Sequence, residues 1–131
     1  MERTITGDGW AVSALDAMGH GPGFRKVRKA LGVTAFGVNA VVMPPGYTSG
    51  RHRHERQEEL YFVHRGTIEF RFDERDAQVL GPGGFARVDP ATVRSVRNVS
   101  ETEEAVYVCV GGAGGYVGRD GVLPEGETSA R

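Results

Sequence analysis

The most informative segment of the sequence runs from residue 46 to residue 66 and reads GYTSGRHRHERQEELYFVHRG. It carries three of the four histidines in the chain and a cluster of three glutamates. His52 and His54 are two positions apart, so on a β-strand both imidazoles project from the same face. Glu59 opens the apolar run that follows, where its carboxylate can complete a three-point cup with the two imidazoles.

Two imidazoles and one carboxylate around open positions form a facial triad, which suits Fe(II) and also Mn, Ni or Zn. The alternative interpretation is a solvated loop of mixed charge over residues 51–56, in which the histidines face water. A His-x-His pair alone favours the loop. The spacing of the flanking glycines and of the glutamate favours the metal site.

That spacing resembles the first motif of the cupin superfamily. The motif is a Gly, five residues, His-x-His, three or four residues, Glu, six residues and a second Gly. The chain supplies every specified position, with Gly46, His52, His54, Glu59 and Gly66.

A second cupin motif has a weaker counterpart downstream. It is roughly Gly, five residues, Pro-x-Gly, two residues, His, three residues and Asn. Gly83 and Asn98 fit its two ends, whereas Asp89 stands at the proline and Ala91 at the glycine. Arg94 occupies the position at which the family supplies its last metal-binding histidine.

The resemblance implies an all-β protein, a double-stranded β-helix or jelly-roll barrel with its site in the barrel mouth. By position, His52, His54 and Glu59 carry over as ligands of a divalent Fe, Mn, Ni or Zn ion, and Arg94 does not. We expect the barrel over residues 33–118, preceded by an irregular or helical N-terminal arm over 1–32. Residues 119–131 are expected to form a C-terminal arm or disordered tail, and the resemblance to cupins implies a homodimer.

Composition and hydropathy independently favour the same fold class. Glycine makes up 20 of the 131 residues, which suits a turn-rich chain because glycine is costly inside helices. Short apolar runs recur about every ten residues, and Ile68 to Phe72 alternates with period two. The only helix that we expect is a short one from Phe24 to Leu31, ended by Gly32.

The charge balance and the cysteine count exclude several classes of protein. With 16 basic and 17 acidic residues the chain carries a formal charge of −1, so neither a nucleic-acid partner nor an anionic membrane is expected. The most apolar stretch, residues 33–43, is too short to span a bilayer, and the N-terminus lacks the apolar region of a signal peptide. A cytoplasmic protein is therefore expected. Cys109 is the only cysteine, which rules out an intramolecular disulfide; its apolar neighbours predict a small buried side chain.

Arg94 complicates the metal hypothesis. A guanidinium about 4 Å from a divalent cation, at an effective dielectric constant of about 20, would be repelled by roughly 8 kcal/mol. Four arrangements follow: Arg94 turns aside, an anion lies between it and the metal, no metal binds, or Arg94 forms a salt bridge with Glu59. In the second, a substrate carboxylate or enolate is clamped by Arg94.

The remaining polar residues are placed by strand parity. Tyr61 shares the parity of Glu59 and should face inward, either to donate a hydrogen bond to a ligand or to fill the barrel. His64 falls on the opposite face and is expected at the surface. His20 lies in the glycine-rich loop of residues 19–23.

These observations support three functions. The first is a metal-dependent enzyme of the oxygenase, isomerase or lyase type, which acts on a small anionic organic substrate. Arg94 and Tyr61 are its candidate substrate-binding and catalytic residues. The second is a non-catalytic, metal-free barrel that binds or senses a small molecule. The third is metal-free sugar epimerisation by a His–Tyr acid–base pair.

Overall fold

The computed structural model describes residues 1–124, which form twelve strands, one α-helix (α1, Val27–Leu31) and one 3-10 helix (Leu15–Ala17). The strands are β1 Ile5–Gly7, β2 Trp10–Val12, β3 Gly23–Arg25, β4 Gly37–Met43, β5 Arg53–His54, β6 Glu58–Arg65, β7 Ile68–Phe72, β8 Asp76–Leu80, β9 Phe85–Val88, β10 Arg94–Asn98, β11 Ala105–Gly112 and β12 Gly121–Val122. The all-β prediction is confirmed. No helix within these residues is long and apolar enough to cross a membrane.

Two antiparallel sheets enclose the core. One has five strands in the order β3-β4-β11-β6-β9, and the other has three in the order β10-β7-β8. A separate ribbon pairs β12 with β5, and bridges from Thr48 to Arg97 and from His52 to Arg94 lay residues 48–52 along β10. The segment with the two histidines therefore lies beside β10, the strand that carries Arg94 and Asn98 of the second motif.

The core between the sheets follows the period-two pattern of the strands. Tyr61 and Val63 on β6 are buried, so Tyr61 faces inward as predicted, while Leu60, which has the opposite parity, is 43% exposed. The ring of Tyr61 packs edge-on against Phe70 of the opposite sheet, with centroids 5.4 Å apart, and lies 5.7 Å from Tyr107. Tyr61 thus fills the barrel as well as reaching towards the site.

The backbone conformation requires glycine at two positions of the first motif. Gly46 and Gly66 have φ angles of 72° and 82°, a region that side chains other than glycine rarely adopt. A Cβ at Gly66 would also lie 2.7 Å from Cβ of Ala105. These positions of the motif therefore shape the turns that flank the His-x-His segment.

The asparagine that ends the second motif has a structural role. Asn98 is fully buried, and its Nδ2 donates to the carbonyl oxygens of Pro44 and Glu103 at 3.1 and 2.8 Å. Its Oδ1 accepts from the backbone N–H of Ser100. Asn98 thereby ties the end of β10 to the loops after β4 and before β11.

The N-terminal arm is more ordered than its sequence suggests. The expected helix from Phe24 to Leu31 is confined to α1, and residues 23–25 instead pair with β4 as an edge strand. Buried Arg25 fixes this segment by donating to the carbonyl oxygens of Leu15 and Gly21 at 2.8 and 2.7 Å. Gly32 ends α1 in the left-handed conformation with φ of 73°, as predicted.

The predicted C-terminal tail begins with ordered structure. Gly121 and Val122 pair with His54 and Arg53, so the chain returns to the site after leaving the barrel. Residues 125–131 of that tail lie outside the described residues. This return positions Asp120 beside the histidine segment.

Candidate metal centre

His52 and His54 are held on one face by the neighbouring second-motif strand. His52 exchanges backbone hydrogen bonds with Arg94 at 3.1 and 2.8 Å, and the N–H of His54 donates to the carbonyl oxygen of Pro90 at 2.8 Å. The two imidazoles are buried and meet edge to face, with ring centroids 5.0 Å apart. The spacing of two residues therefore places both imidazoles on the same face, as expected for a strand.

Glu59 completes the cluster from the start of β6. One donor atom each of His52, His54 and Glu59 lies within 4.8 Å of the others, and Nε2 of His54 is 3.2 Å from Oε1 of Glu59. Two ligands that each lie about 2.1 Å from one ion are separated by at most about 4 Å. The cluster is therefore close to the size of a coordination shell, and its two nitrogens and one oxygen suit a divalent transition metal.

The carboxylate of Glu59 is surrounded by donors. The hydroxyl of Tyr61 donates to Oε1 at 2.7 Å, and the thiol of Cys109 donates to Oε2 at 3.3 Å. Burial opposes ionisation, but the hydrogen bond and charge of His54, the Tyr61 hydroxyl and the Arg94 charge hold the pKa of Glu59 at about 2. Glu59 is therefore a carboxylate, the form that binds a metal.

Arg94 lies inside the site and not at its edge. Its side chain is 1% exposed, and its Nη1 donates to the carbonyl oxygens of Thr92 and Pro90 at 2.7 and 3.2 Å. Its Nη2 is 3.4 Å from Oε1 of Glu59. Of the four arrangements set out above, the one in the structure is the pairing with Glu59.

His54 has a second carboxylate behind it. Nδ1 of His54 lies 2.7 Å from Oδ1 of Asp120, on the side of the ring away from Glu59. Burial lowers the pKa of His54, but the hydrogen bond and charge of Glu59 and the hydrogen bond of Asp120 outweigh it, so the pKa is raised above 6.5. For Asp120, hydrogen bonds from Gln57, Arg56 and His54 overcome the effect of burial and lower the pKa.

The sequence did not point to Asp120, Gln57 or Cys109. The sequence predicted only a buried apolar side chain for Cys109. Its position two residues after inward-facing Tyr107 on the same strand, however, indicates that Cys109 faces inward too. Its register opposite Tyr61 brings it to Glu59. Asp120 had no such signal, because its place depends on a pairing between strands more than sixty residues apart.

The other two histidines lie elsewhere. His64 is exposed on the opposite parity of β6, as predicted, and His20 is exposed in the glycine-rich loop. Two surface cavities, of about 390 and 710 Å³, lie against the N-terminal segment, where Phe24 lines the first and Trp10 the second. The residues of the His–Glu cluster line neither cavity.

The family relationship follows from a sequence comparison. A family model described as a cupin domain matches residues 39–111, more than half of the chain. The chain belongs to the cupin family. The matched span contains both motifs, so the cupin resemblance is confirmed, and in this cupin the last motif histidine is replaced by Arg94.

Solved structures with the same fold include proteins of different activities. A cupin protein from Bacteroides fragilis has a TM-score of 0.68 at 17% identity, with 85% of this chain and 90% of that chain covered. A sugar phosphate isomerase of the cupin superfamily from Silicibacter pomeroyi has a TM-score of 0.62 at 25% identity, covering 79% and 59%. A DMSP lyase from Ruegeria pomeroyi has a TM-score of 0.59 at 26% identity, covering 71% and 46%.

The present cupin therefore spans less than two thirds of the length of the isomerase and of the lyase. No curated protein matches its sequence significantly.

Proposed function

We propose that this cupin is a metal-dependent enzyme that acts on a small anionic organic molecule. The observation that carries the proposal is the convergence of buried donor atoms from His52, His54 and Glu59 within 4.8 Å. Related cupin structures include an isomerase and a lyase, which supports enzymatic chemistry on this scaffold without selecting a reaction.

The three donors would hold an Fe, Mn, Ni or Zn ion through the imidazole nitrogens and the carboxylate. Such an ion supplies Lewis acidity towards a substrate oxygen. The hydrogen bonds from Tyr61 and Cys109 orient the Glu59 carboxylate and keep it from rotating away. Because the cluster is buried, these polar contacts are stronger than they would be at the surface.

Arg94 supports the choice of an anionic substrate. Within residues 1–124 its Nε and Nη2 are buried and make no hydrogen bond, although Nη2 lies near Glu59. Buried donors without an acceptor destabilise a protein by about 1–3 kcal/mol each, and more when the group is charged. A carboxylate or phosphate of the substrate would accept from these donors and offset the positive charge of Arg94 beside a metal ion.

Tyr61 is better suited to orienting Glu59 than to transferring protons. Burial, together with the nearby Cys109 and Glu59, raises the pKa of Tyr61 well above 10, so its hydroxyl stays protonated. That hydroxyl already donates to Glu59. These facts argue against epimerisation by a His–Tyr pair, in which the tyrosine must give up its proton. Its role as a substrate-binding residue stays a prediction.

Turnover is the test of the proposal. Metal-free protein would be loaded separately with Fe(II), Mn(II), Ni(II) and Zn(II) and incubated with small hydroxy acids, keto acids and sugar phosphates, with products followed by NMR. We expect turnover with at least one metal and a loss of at least about 100-fold in His52→Ala, whereas the surface control His64→Ala stays active. No turnover, or turnover unchanged in His52→Ala, would contradict the proposal.

A metal-free binding protein is the second candidate, and one observation favours it. The charges of Arg94 and protonated His54 are compensated by those of Glu59 and Asp120 in a continuous series of contacts of 2.7 to 3.4 Å. Such a cluster can be stable without an ion. In this case organic acids should raise the melting temperature with chelator present, because a ligand stabilises the folded state that binds it. Stabilisation only in the presence of metal would argue against this candidate.

We also propose the homodimer that the family relationship implied. An outward-facing apolar patch on β6 and β9 supports it, since Leu60 and Phe85 are 43% and 62% exposed and the rings of Phe62 and Phe85 are in contact. Light scattering on the purified protein measures this directly. A monomeric mass at all concentrations would contradict it.

A further inference from the structure

Asp120 lies where it can determine which nitrogen of the His54 ring carries the proton. Its Oδ1 is 2.7 Å from Nδ1 of His54, while Nε2 of the same ring points to Glu59 at 3.2 Å. Both ring nitrogens lie near a carboxylate, which only accepts hydrogen bonds, but only Nδ1 makes a hydrogen bond, and Nε2 makes none among the described residues, so a single ring proton belongs on Nδ1. In the neutral imidazole this leaves the lone pair on Nε2, inside the cluster.

The amide of Gln57 does not change this assignment. Its Nε2 lies 3.2 Å from Nδ1 of His54 and 2.5 Å from Oδ1 of Asp120. If Nδ1 were unprotonated it would accept from Gln57, but its lone pair would then face the Asp120 carboxylate at 2.7 Å. Two lone pairs at that distance repel, whereas a protonated Nδ1 donates to the carboxylate.

Asp120 is itself firmly placed. Its Oδ2 accepts from the backbone N–H groups of Arg56 and Gln57 at 2.8 and 3.1 Å, and its side chain is 9% exposed. The backbone N–H of Glu55 donates to its carbonyl oxygen, and the next residue, Gly121, pairs with His54. Both oxygens therefore serve as acceptors, one towards the loop and one towards the imidazole.

We propose that Asp120 is a positioning residue that fixes His54 in the Nδ1-protonated form and thereby presents Nε2 as a metal ligand. This inference rests on the proposed metal-dependent function. Carboxylates behind a ligating histidine set its tautomer and raise its basicity, and their loss typically reduces metal affinity 10- to 100-fold. Here the carboxylate comes from the chain segment after the barrel, outside both cupin motifs.

The variant Asp120→Asn separates positioning from simple packing. An asparagine has one acceptor and one donor end, so it can satisfy either the backbone N–H groups or the proton of His54, but not both. If its amide nitrogen faces the ring, the proton moves to Nε2 and blocks that ligand. Asp76→Asn is the matched control, because Asp76 is an exposed acid in the β7–β8 hairpin.

Two readouts other than activity test the proposal on the full-length chain. The first is the tautomer of neutral His54 in metal-free wild-type protein, read from ¹⁵N–¹H NMR of histidine-labelled samples. We expect the proton on Nδ1. A proton on Nε2 instead would overturn the proposal, and this measurement needs no variant to fold.

The second readout is Zn(II) affinity from competition with a chromophoric chelator. We expect Asp120→Asn to lose 10- to 100-fold and Asp76→Asn to match the wild type. If the wild type binds zinc and Asp120→Asn binds it equally well, the positioning role is wrong while the metal site stands. If the wild type binds no metal, the proposed function fails, and only the tautomer result then decides whether Asp120 orients His54.

Discussion

The Nη2 atom of Arg94 lies 3.4 Å from Oε1 of Glu59, so a buried cation occupies the place beside a predicted metal ligand. The backbone carbonyls of Thr92 and Pro90 hold the other end of that guanidinium. Electrostatic repulsion between Arg94 and a divalent ion therefore opposes the attraction of the three donors. This opposition determines how tightly the site can bind metal.

Replacement of Arg94 by histidine should strengthen metal binding. The substitution removes the fixed positive charge and restores the residue type that the family has at this position. We expect Arg94→His to bind Zn(II) at least about 10-fold more tightly than the wild type, since 1.4 kcal/mol of relieved repulsion already gives that factor.

The same measurement on Arg94→Met distinguishes charge from ligation. Methionine removes the charge without adding a nitrogen ligand, so part of the gain should remain if repulsion is the cause. Equal or weaker zinc affinity in both variants would show that Arg94 does not oppose the metal.

The charge of Glu59 should make stability depend on pH in acid. Its folded-state pKa of about 2 lies below its ordinary 4.5, so its contribution is complete above about pH 4.5 and is lost as the pH falls towards 2. We expect the stability difference between wild type and Glu59→Gln, measured by urea unfolding with chelator present, to shrink over this range by up to about 3 kcal/mol.

The matched control for this titration is Glu104→Gln, because Glu104 is an exposed acid 4.0 Å from Arg65. Its difference from wild type should stay small at every pH. A Glu59→Gln difference that is constant between pH 5 and pH 2 would contradict a strongly ionised Glu59 in the folded protein.

The hydroxyl and the ring of Tyr61 should make separate contributions to stability. Tyr61→Phe keeps the ring packing on Phe70 and Tyr107 and removes only the hydrogen bond to Glu59. We expect it to cost about 1–2 kcal/mol in the free energy of unfolding, against about 3–5 kcal/mol for Tyr61→Ala, which leaves a cavity. Equal losses in chemical denaturation would show that the ring packing contributes little.

Cys109 should be unreactive in the folded protein. Burial, reinforced by the neighbouring Glu59 carboxylate, raises the pKa of the thiol well above 9, and the thiolate is the reactive form. We expect labelling by a thiol reagent at pH 8 to be at least about 100-fold slower in buffer than in denaturant. Rapid labelling without denaturant would show that Cys109 is accessible and that its contact with Glu59 is not maintained.

Local sequence patterns predicted most of the fold and three residues of the site. The alternation in Ile68 to Phe72 and the parity of Tyr61 and Glu59 depend only on strand geometry. The sequence alone therefore predicts which of these side chains face inward. The edge strand Gly23–Arg25 was missed because its pairing with β4 is a long-range contact. For the same reason Asp120 was absent from the predicted site.

The sequence predicted that Arg94 lies in the site, but it did not predict the direction of its side chain. Its motif position placed it in the site, but whether it turned aside or paired with Glu59 depends on the carbonyl oxygens of Thr92 and Pro90. Those acceptors come from a loop conformation that the residue types do not specify. The structure shows the pairing with Glu59.

The most direct test of the proposed metal centre is the metal content of the protein purified without chelator, measured by inductively coupled plasma mass spectrometry. We expect close to one equivalent of Fe, Mn, Ni or Zn per chain in the wild type and in the surface control His64→Ala. We expect His52→Ala to lose most of that metal. Substoichiometric metal that is the same in all three proteins would contradict a metal centre formed by His52, His54 and Glu59.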